Sequence, residues 1–189
     1  VNDMLDLMFV ASFGNWKFDG DANGNYQETE YNSEGQAIGY TTTEYAYALD
    51  GLYVGDMPQT SYVLGVTLKP IKDLRIQAIH KMYDKNYSDW SPSAREFDGT
   101  NDDADRAQVW EAPSYNRLDL HMSYKLPKVK DLDMMLTANI FNVLDEVYVQ
   151  DAVDNSQYNG YGSKQHLPHN AEVFLGTPRY ANIGLSIGF

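Results

Sequence analysis

The chain has 189 residues, with 27 acidic against 14 basic side chains and a net charge of −13. That balance excludes a nucleic-acid binder, because affinity for phosphate backbones comes from clustered Lys and Arg. No run approaches the ~20 apolar residues that a spanning helix requires, and 43% hydrophobic residues are too many for a disordered acidic chain. The absence of Cys removes disulfides, thiolate metal sites and cysteine nucleophiles together. Asn2 and Asp3 stand where a signal peptide would carry basic residues, so an export signal is expected outside these residues.

The polarity alternates with period 2 along most of the chain, which is the signature of strands. Met4 to Phe18 opens as a strand of less certain phase. In Tyr62 to Lys69, Tyr62, Leu64, Val66 and Leu68 oppose Val63, Gly65, Thr67 and Lys69. Leu74, Ile76 and Ala78 oppose Arg75 and Gln77, and the phase is lost towards Tyr87, which predicts a bulge or an extension past the apolar zone. Leu118, Leu120, Met122 and Tyr124 oppose Arg117, Asp119, His121 and Ser123. Met134, Leu136, Ala138 and Ile140 form the next stripe, and Ala181, Ile183, Leu185, Ile187 and Phe189 form the last.

The connections alternate in length. Lys69 to Asp73 and Pro127 to Asp131 are short, Pro-containing and Lys-rich. Asp19 to Gln59, Ser91 to Ser114 and Val149 to Pro178 are long, acidic and rich in Gly, Asn and Tyr, and Asn32-Ser33-Glu34-Gly35 reads as a hairpin tip inside the first. Short turns at one end and long loops at the other are the layout of an outer-membrane β-barrel. Rings near the strand ends (Trp16, Phe18, Tyr62, Tyr83, Tyr87, Trp90, Tyr115, Tyr124, Tyr148 and Phe189) suit an aromatic girdle. The fold class expected is therefore all-β, with antiparallel transmembrane β-barrel strands. Known membrane barrels start at about eight strands, so these are expected to be the last six of a larger barrel. The rival reading is a secreted, soluble β-sandwich that binds carbohydrate with help from calcium.

Four stretches resemble the C-terminal barrel segment of Bacteroidetes-type TonB-dependent outer-membrane receptors. They are Val54-Gly55-Asp56-Met57-Pro58-Gln59-Thr60, Lys69-Pro70-Ile71-Lys72-Asp73-Leu74, Ala138-Asn139-Ile140-Phe141-Asn142-Val143-Leu144-Asp145, and Gly176-Thr177-Pro178-Arg179 leading to a terminal Phe189. The resemblance implies a 22-stranded barrel around an N-terminal plug, with residues 1–189 as its C-terminal part and the plug and earlier strands lying outside it. It implies energy-coupled import of a bulky nutrient such as a siderophore, glycan or peptide. The implied partners are outer-membrane lipid, the rest of the barrel and plug, TonB through the missing N-terminal part, the barrel-assembly machinery and a surface lipoprotein. It also implies that Ile183, Leu185, Ile187 and Phe189 form the assembly signal.

Outside that resemblance, Asp19, Asp21, Asn23, Asn25 and Glu30 fit the spacing of a calcium loop, with oxygen ligands at alternate positions, Gly24 for the bend and a distal carboxylate. Calcium is the one cofactor the residues suggest, and a solvated turn is the alternative. Asp98 to Asp105 is a second acidic cluster, without ligand spacing. His166 and His169, with Asn170 and Glu172, offer either transition-metal ligands or plain exposed polar groups. Tyr26, Tyr31, Tyr40, Tyr45, Trp110, Tyr158 and Tyr161 could stack on sugars or pack loop against loop. No catalytic motif of the G-x-S-x-G or H-E-x-x-H kind is present, and the expectation is a protein that is not an enzyme.

Overall fold

The computed structural model describes residues 3–97, 104–156 and 165–189. Strands dominate it: β1 (Leu5–Phe13), β2 (Ala22–Tyr31), β3 (Ala37–Tyr47), β4 (Thr60–Leu68), β5 (Leu74–Asp84), β6 (Asn86–Tyr87), β7 (Glu96–Phe97), β8 (Glu111–Ala112), β9 (Tyr115–Lys125), β10 (Asp133–Phe141), β11 (Val149–Asp154), β12 (Ala171–Leu175) and β13 (Tyr180–Gly188). Two short 3-10 turns, Pro92–Arg95 and Pro168–Asn170, lie among the described residues. No helix among the described residues is long and apolar enough to cross a membrane, which says nothing of strands.

The main sheet has six strands in the order β1-β4-β5-β9-β10-β13, every neighbouring pair antiparallel. These are the six stripes of alternating polarity, and the sheet is open, with β1 and β13 as its edges. β1 stops at Phe13, and residues 14–18 continue outside any strand, with an isolated bridge of Lys17 to Tyr53 and backbone bonds that link Trp16 and Phe18 to the segment 51–54. Of the two expectations towards Tyr87, the bulge is absent and the chain instead runs on past the main sheet into β6. β5 pairs in unbroken register with β4 and β9 as far as Asp84 or Tyr83, and the phase is lost because Lys85 turns into the left-handed region (φ 57°). One residue there redirects the chain without inserting into the ladder.

The short connections are tight turns. Asp73 takes φ 68° behind Pro70, and the Leu74 N–H donates to the Ile71 carbonyl at 3.3 Å. Lys130 takes φ 56° in the turn between β9 and β10. The described parts of the long connections carry strand pairing of their own. β2 and β3 form a projecting hairpin, with Asn32 Oδ1 accepting from the Glu34 and Gln36 N–H groups at its tip. β7 extends that hairpin, β6 pairs with β8, and β11 pairs with β12. Leu49, Leu52, Tyr87, Trp90 and Val109 pack together as a core of this loop layer, with Ala22, Tyr47 and Tyr53 against it. Asp89 pairs in parallel with Val153, tying in the third connection.

Candidate functional site: a two-faced sheet and its loop rim

Because directly opposed residues point the same way, the pairings define two faces. Leu7, Phe9, Leu64, Val66, Ile76, Ala78, Leu120, Met122, Leu136, Ala138, Ile183 and Leu185 share one, continuous from edge to edge. Nothing in the described structure covers it: Phe9 is 68% exposed and Ile183 80%. Phe189 is fully exposed and continues the alternation of Ile183, Leu185 and Ile187. An uncovered apolar surface of this extent is abnormal for a protein facing water on all sides.

The opposite face carries Met8, Val10 and Val63 towards the β1 edge and Ile79, Met135 and Phe141 further in, but its polar groups bond to one another from β4 to β13. Gln77 Nε2 donates to Thr67 Oγ1 at 3.1 Å. The buried Asp119 carboxylate accepts from Lys81 at 3.0 Å and from Arg117 at 3.3 Å, and its other oxygen accepts the Asn142 N–H at 3.0 Å. His121 Nδ1 and Asn139 Oδ1 lie 2.8 Å apart, and Asn139 Nδ2 donates to Asn182 Oδ1 at 2.8 Å, so β9, β10 and β13 are joined by side chains as well as backbone. A shallow cavity of about 290 Å³ lies here among Arg75, Gln77, His121, Ser123, Thr137 and Asn139.

Three of the four family-like motifs sit where this sheet meets the loop layer, while Lys69 to Leu74 forms a short turn at the opposite end. Asn142, fully buried with φ 48°, donates from Nδ2 to the carbonyls of Glu146 (2.9 Å) and Thr177 (3.2 Å) and accepts the Glu146 N–H at 3.1 Å. Asp145 accepts the Arg179 N–H at 3.0 Å and pairs with its guanidinium at 3.4 Å. The two last motifs are therefore one knot that delivers the chain from β10 to β13. Tyr148 belongs to it: the ring stacks on Tyr115, the hydroxyl accepts from Arg117 at 3.2 Å, and a Cβ on Gly176 would lie 1.9 Å from its Cζ. On the other side, Gln59 exchanges two hydrogen bonds with the Trp16 peptide, at 2.9 and 3.0 Å. Gly55 lets the chain pass the Ser88–Asp89 backbone, which a Cβ would meet at 2.7 Å.

Several expected sites look different in place. The calcium-spacing residues do not converge: Asn23, Asn25 and Glu30 lie along β2, whose rise of about 3.3 Å per residue separates Asn23 from Glu30 by roughly 23 Å. Asp21 instead holds Arg106 through two bonds of 2.7 Å and accepts the Leu49 and Asp50 N–H groups at 3.0 Å. The Arg106 hydrogen bonds foremost, then the backbone N–H groups, hold its carboxyl well below the usual range. Asp19 lies outside β2, and Glu30 accepts from the Thr41 hydroxyl across the hairpin. Among the described residues no three acidic or His side chains are grouped to hold a metal ion.

The girdle needs correction as well. Tyr87, Trp90, Tyr115 and Tyr148 are buried rather than presented to a surface, because the loop layer packs on them. Tyr83 and Tyr115 point to the polar face. Of those named, Trp16, Phe18 and Phe189 are exposed and Tyr62 is partly so, and the exposed Phe13 joins them, edge-on to Tyr62.

His166 is not an exposed polar residue. It is buried, with Nε2 2.9 Å from Asp105 Oδ2 and Nδ1 2.5 Å from Asp154 Oδ2, while His169 is exposed and apart from it. Asp105 also holds the fully buried Arg95 at 3.1 Å. The spacing of the two His drew attention to residue 166, but its partners lie too far away in sequence to be read from it. Asp98 to Asp103, Tyr158 and Tyr161 lie outside the described residues. Comparison of the chain with protein-family models, with curated proteins and with solved structures finds no match in any of the three.

Proposed function

We propose that this chain forms the C-terminal wall of a TonB-dependent receptor in the outer membrane of a Gram-negative bacterium, importing a bulky nutrient such as a siderophore, glycan or peptide. The single observation that supports it is the inverted sheet: an apolar face left open from edge to edge, opposite a polar face whose side chains bond to one another. Lipid satisfies the first face, and a polar lumen satisfies the second. In lipid the N–H and C=O groups along the free edges of β1 and β13 would cost several kcal/mol each. The reading therefore requires further strands of the same barrel on both sides. The loop layer then lies outside the membrane and captures ligand, the polar face lines its passage, and the plug and TonB supply the gating. The terminal stripe Ile183, Leu185, Ile187 and Phe189 engages the assembly machinery, and a surface lipoprotein over the loops belongs to the same proposal.

The rival, a secreted sandwich, needs a second sheet packed about 10 Å from the apolar face. The described residues place none there. The test is to fractionate the native source and measure the intact denatured mass of the polypeptide carrying these residues. A membrane-bound polypeptide several times heavier than 21.4 kDa is the expected result. A detergent-free soluble species near that mass overturns the proposal.

A further inference from the structure

His166 stands between two carboxylates that come from different connections, Asp105 before β8 and Asp154 at the end of β11. A carboxylate only accepts hydrogen bonds, so an imidazole with one on each nitrogen must carry a proton on both and is a cation. Its side chain is 3% exposed, and those of Asp105 and Asp154 are 8% and 5%. Each acid is fixed independently of the ring. Asp105 pairs with Arg95, whose side chain is fully buried, and Asp154 accepts the Ser156 N–H at 3.0 Å. The Ser156 hydroxyl lies 3.0 Å from His166 Nδ1. Among the described residues the charged groups facing His166 are thus Asp105, Asp154 and, beyond Asp105, Arg95.

We propose that His166 is a proton-operated clasp that joins the second and third connections of the loop layer and releases them as the pH rises. Losing its proton leaves one ring nitrogen, a lone pair, against a carboxylate lone pair in a site without water access to relieve it. The neutral ring keeps Asp154, the nearer acid at 2.5 Å and on its own connection, and the bond to Asp105 on the second connection opens. Burial opposes the charge, but the hydrogen bonds to Asp154 and then Asp105 prevail, and His166 is held above the usual imidazole range. A raised value means the clasp is fully closed below about pH 6.5, where a free imidazole is protonated, and is lost above it as pH passes the folded-state value. Coupled to the proposed function, and resting on it only for this consequence, opening would alter access to the outer mouth. The clasp itself stands on loop geometry whether or not the sheet lies in a membrane.

Hydrogen exchange of the full protein, read on peptides covering residues 104–112 and 150–156 from pH 5 to 10 and corrected for intrinsic exchange, tests it. The expected result is protection that falls about tenfold per pH unit once above ~6.5, the slope of one linked proton. His166→Gln should abolish that step. Asp154→Asn, which keeps the shape and Asp105, should move the step to lower pH, and it serves where His166→Gln loosens the loops at every pH. A step that survives in His166→Gln, an unmoved step in Asp154→Asn, or flat protection in the wild type overturns the proposal.

Discussion

Thr67 and Leu68 are neighbours in β4, and their burial reverses their polarity: Thr67 is 4% exposed, Leu68 48%. Thr67 accepts from Gln77 on the polar face, while Leu68 stands opposite Ile76 on the apolar one. The same inversion separates Asp119, 1% exposed, from the partly exposed Leu120 beside it. A sheet folded against water would bury the other set.

A charge on the apolar face should therefore block membrane assembly. Leu185→Arg is expected to cost ~2–4 kcal/mol if that position lies near the bilayer midplane. Ser186→Arg, one residue along and on the polar face, should assemble normally. The fraction reaching the outer membrane in folded, heat-modifiable form measures both.

The knot at Asn142 should matter more than its single side chain suggests. Asn142→Ala removes the bonds to Glu146 and Thr177 and places a residue less suited to φ 48° in a buried turn. Asn142 itself is buried but its partners are half-buried or exposed, and losing these bonds costs on the order of 1 kcal/mol each. Denaturant unfolding in detergent should show the loss, and Asp145→Ala, at a surface-exposed ion pair, should show a smaller one.

Close approach decides a third contrast. At Gly55 a Cβ would meet backbone of Ser88 and Asp89 at 2.7 to 2.8 Å, whereas at Gly184 it would meet only the Thr137 hydroxyl, at 2.9 Å. A hydroxyl can rotate away and a backbone cannot. Gly55→Ala is expected to destabilise by about 1–3 kcal/mol and Gly184→Ala by less, read as the difference in unfolding midpoint.

The Asp21–Arg106 pair gives an acid prediction distinct from the His166 clasp. A carboxyl held below its usual value stabilises the fold above about pH 3.9 and loses that contribution as pH falls through its folded-state value. Contact between the start of β2 and the segment around Arg106 should persist at pH 4 and weaken only in stronger acid. Asp21→Asn should show the weakened state already at pH 7, by exchange at Leu49 and Asp50, whose N–H groups Asp21 accepts.

The six sheet strands were legible because local alternation and sheet register carry the same information: Ile183, Leu185 and Ile187 announce a face before any partner is known. The hairpin tip at Asn32 was legible for a similar reason, since an Asn side chain caps its own turn. The loop layer was not. Tyr87, Trp90 and Tyr148 look alike whether they face headgroups or pack under a neighbouring loop, and that choice is made by residues far away in the chain. His166 stands out in the sequence only by its spacing from His169, which is exposed, and Asp105 and Asp154 look like any other acidic residues of a solvated loop. The apparent calcium loop shows the converse: its spacing presumes a bend at Gly24, and β2 runs straight through it.

The most direct test of the account uses the absence of Cys from these residues. A fluorophore is attached to a single Cys at position 185 or 186 of the full protein in its membrane, and quenching by a bilayer-confined lipid quencher is compared. Strong quenching at Leu185→Cys with little at Ser186→Cys is the predicted result. Equal quenching at both, or none at Leu185→Cys, contradicts a sheet whose apolar face meets lipid.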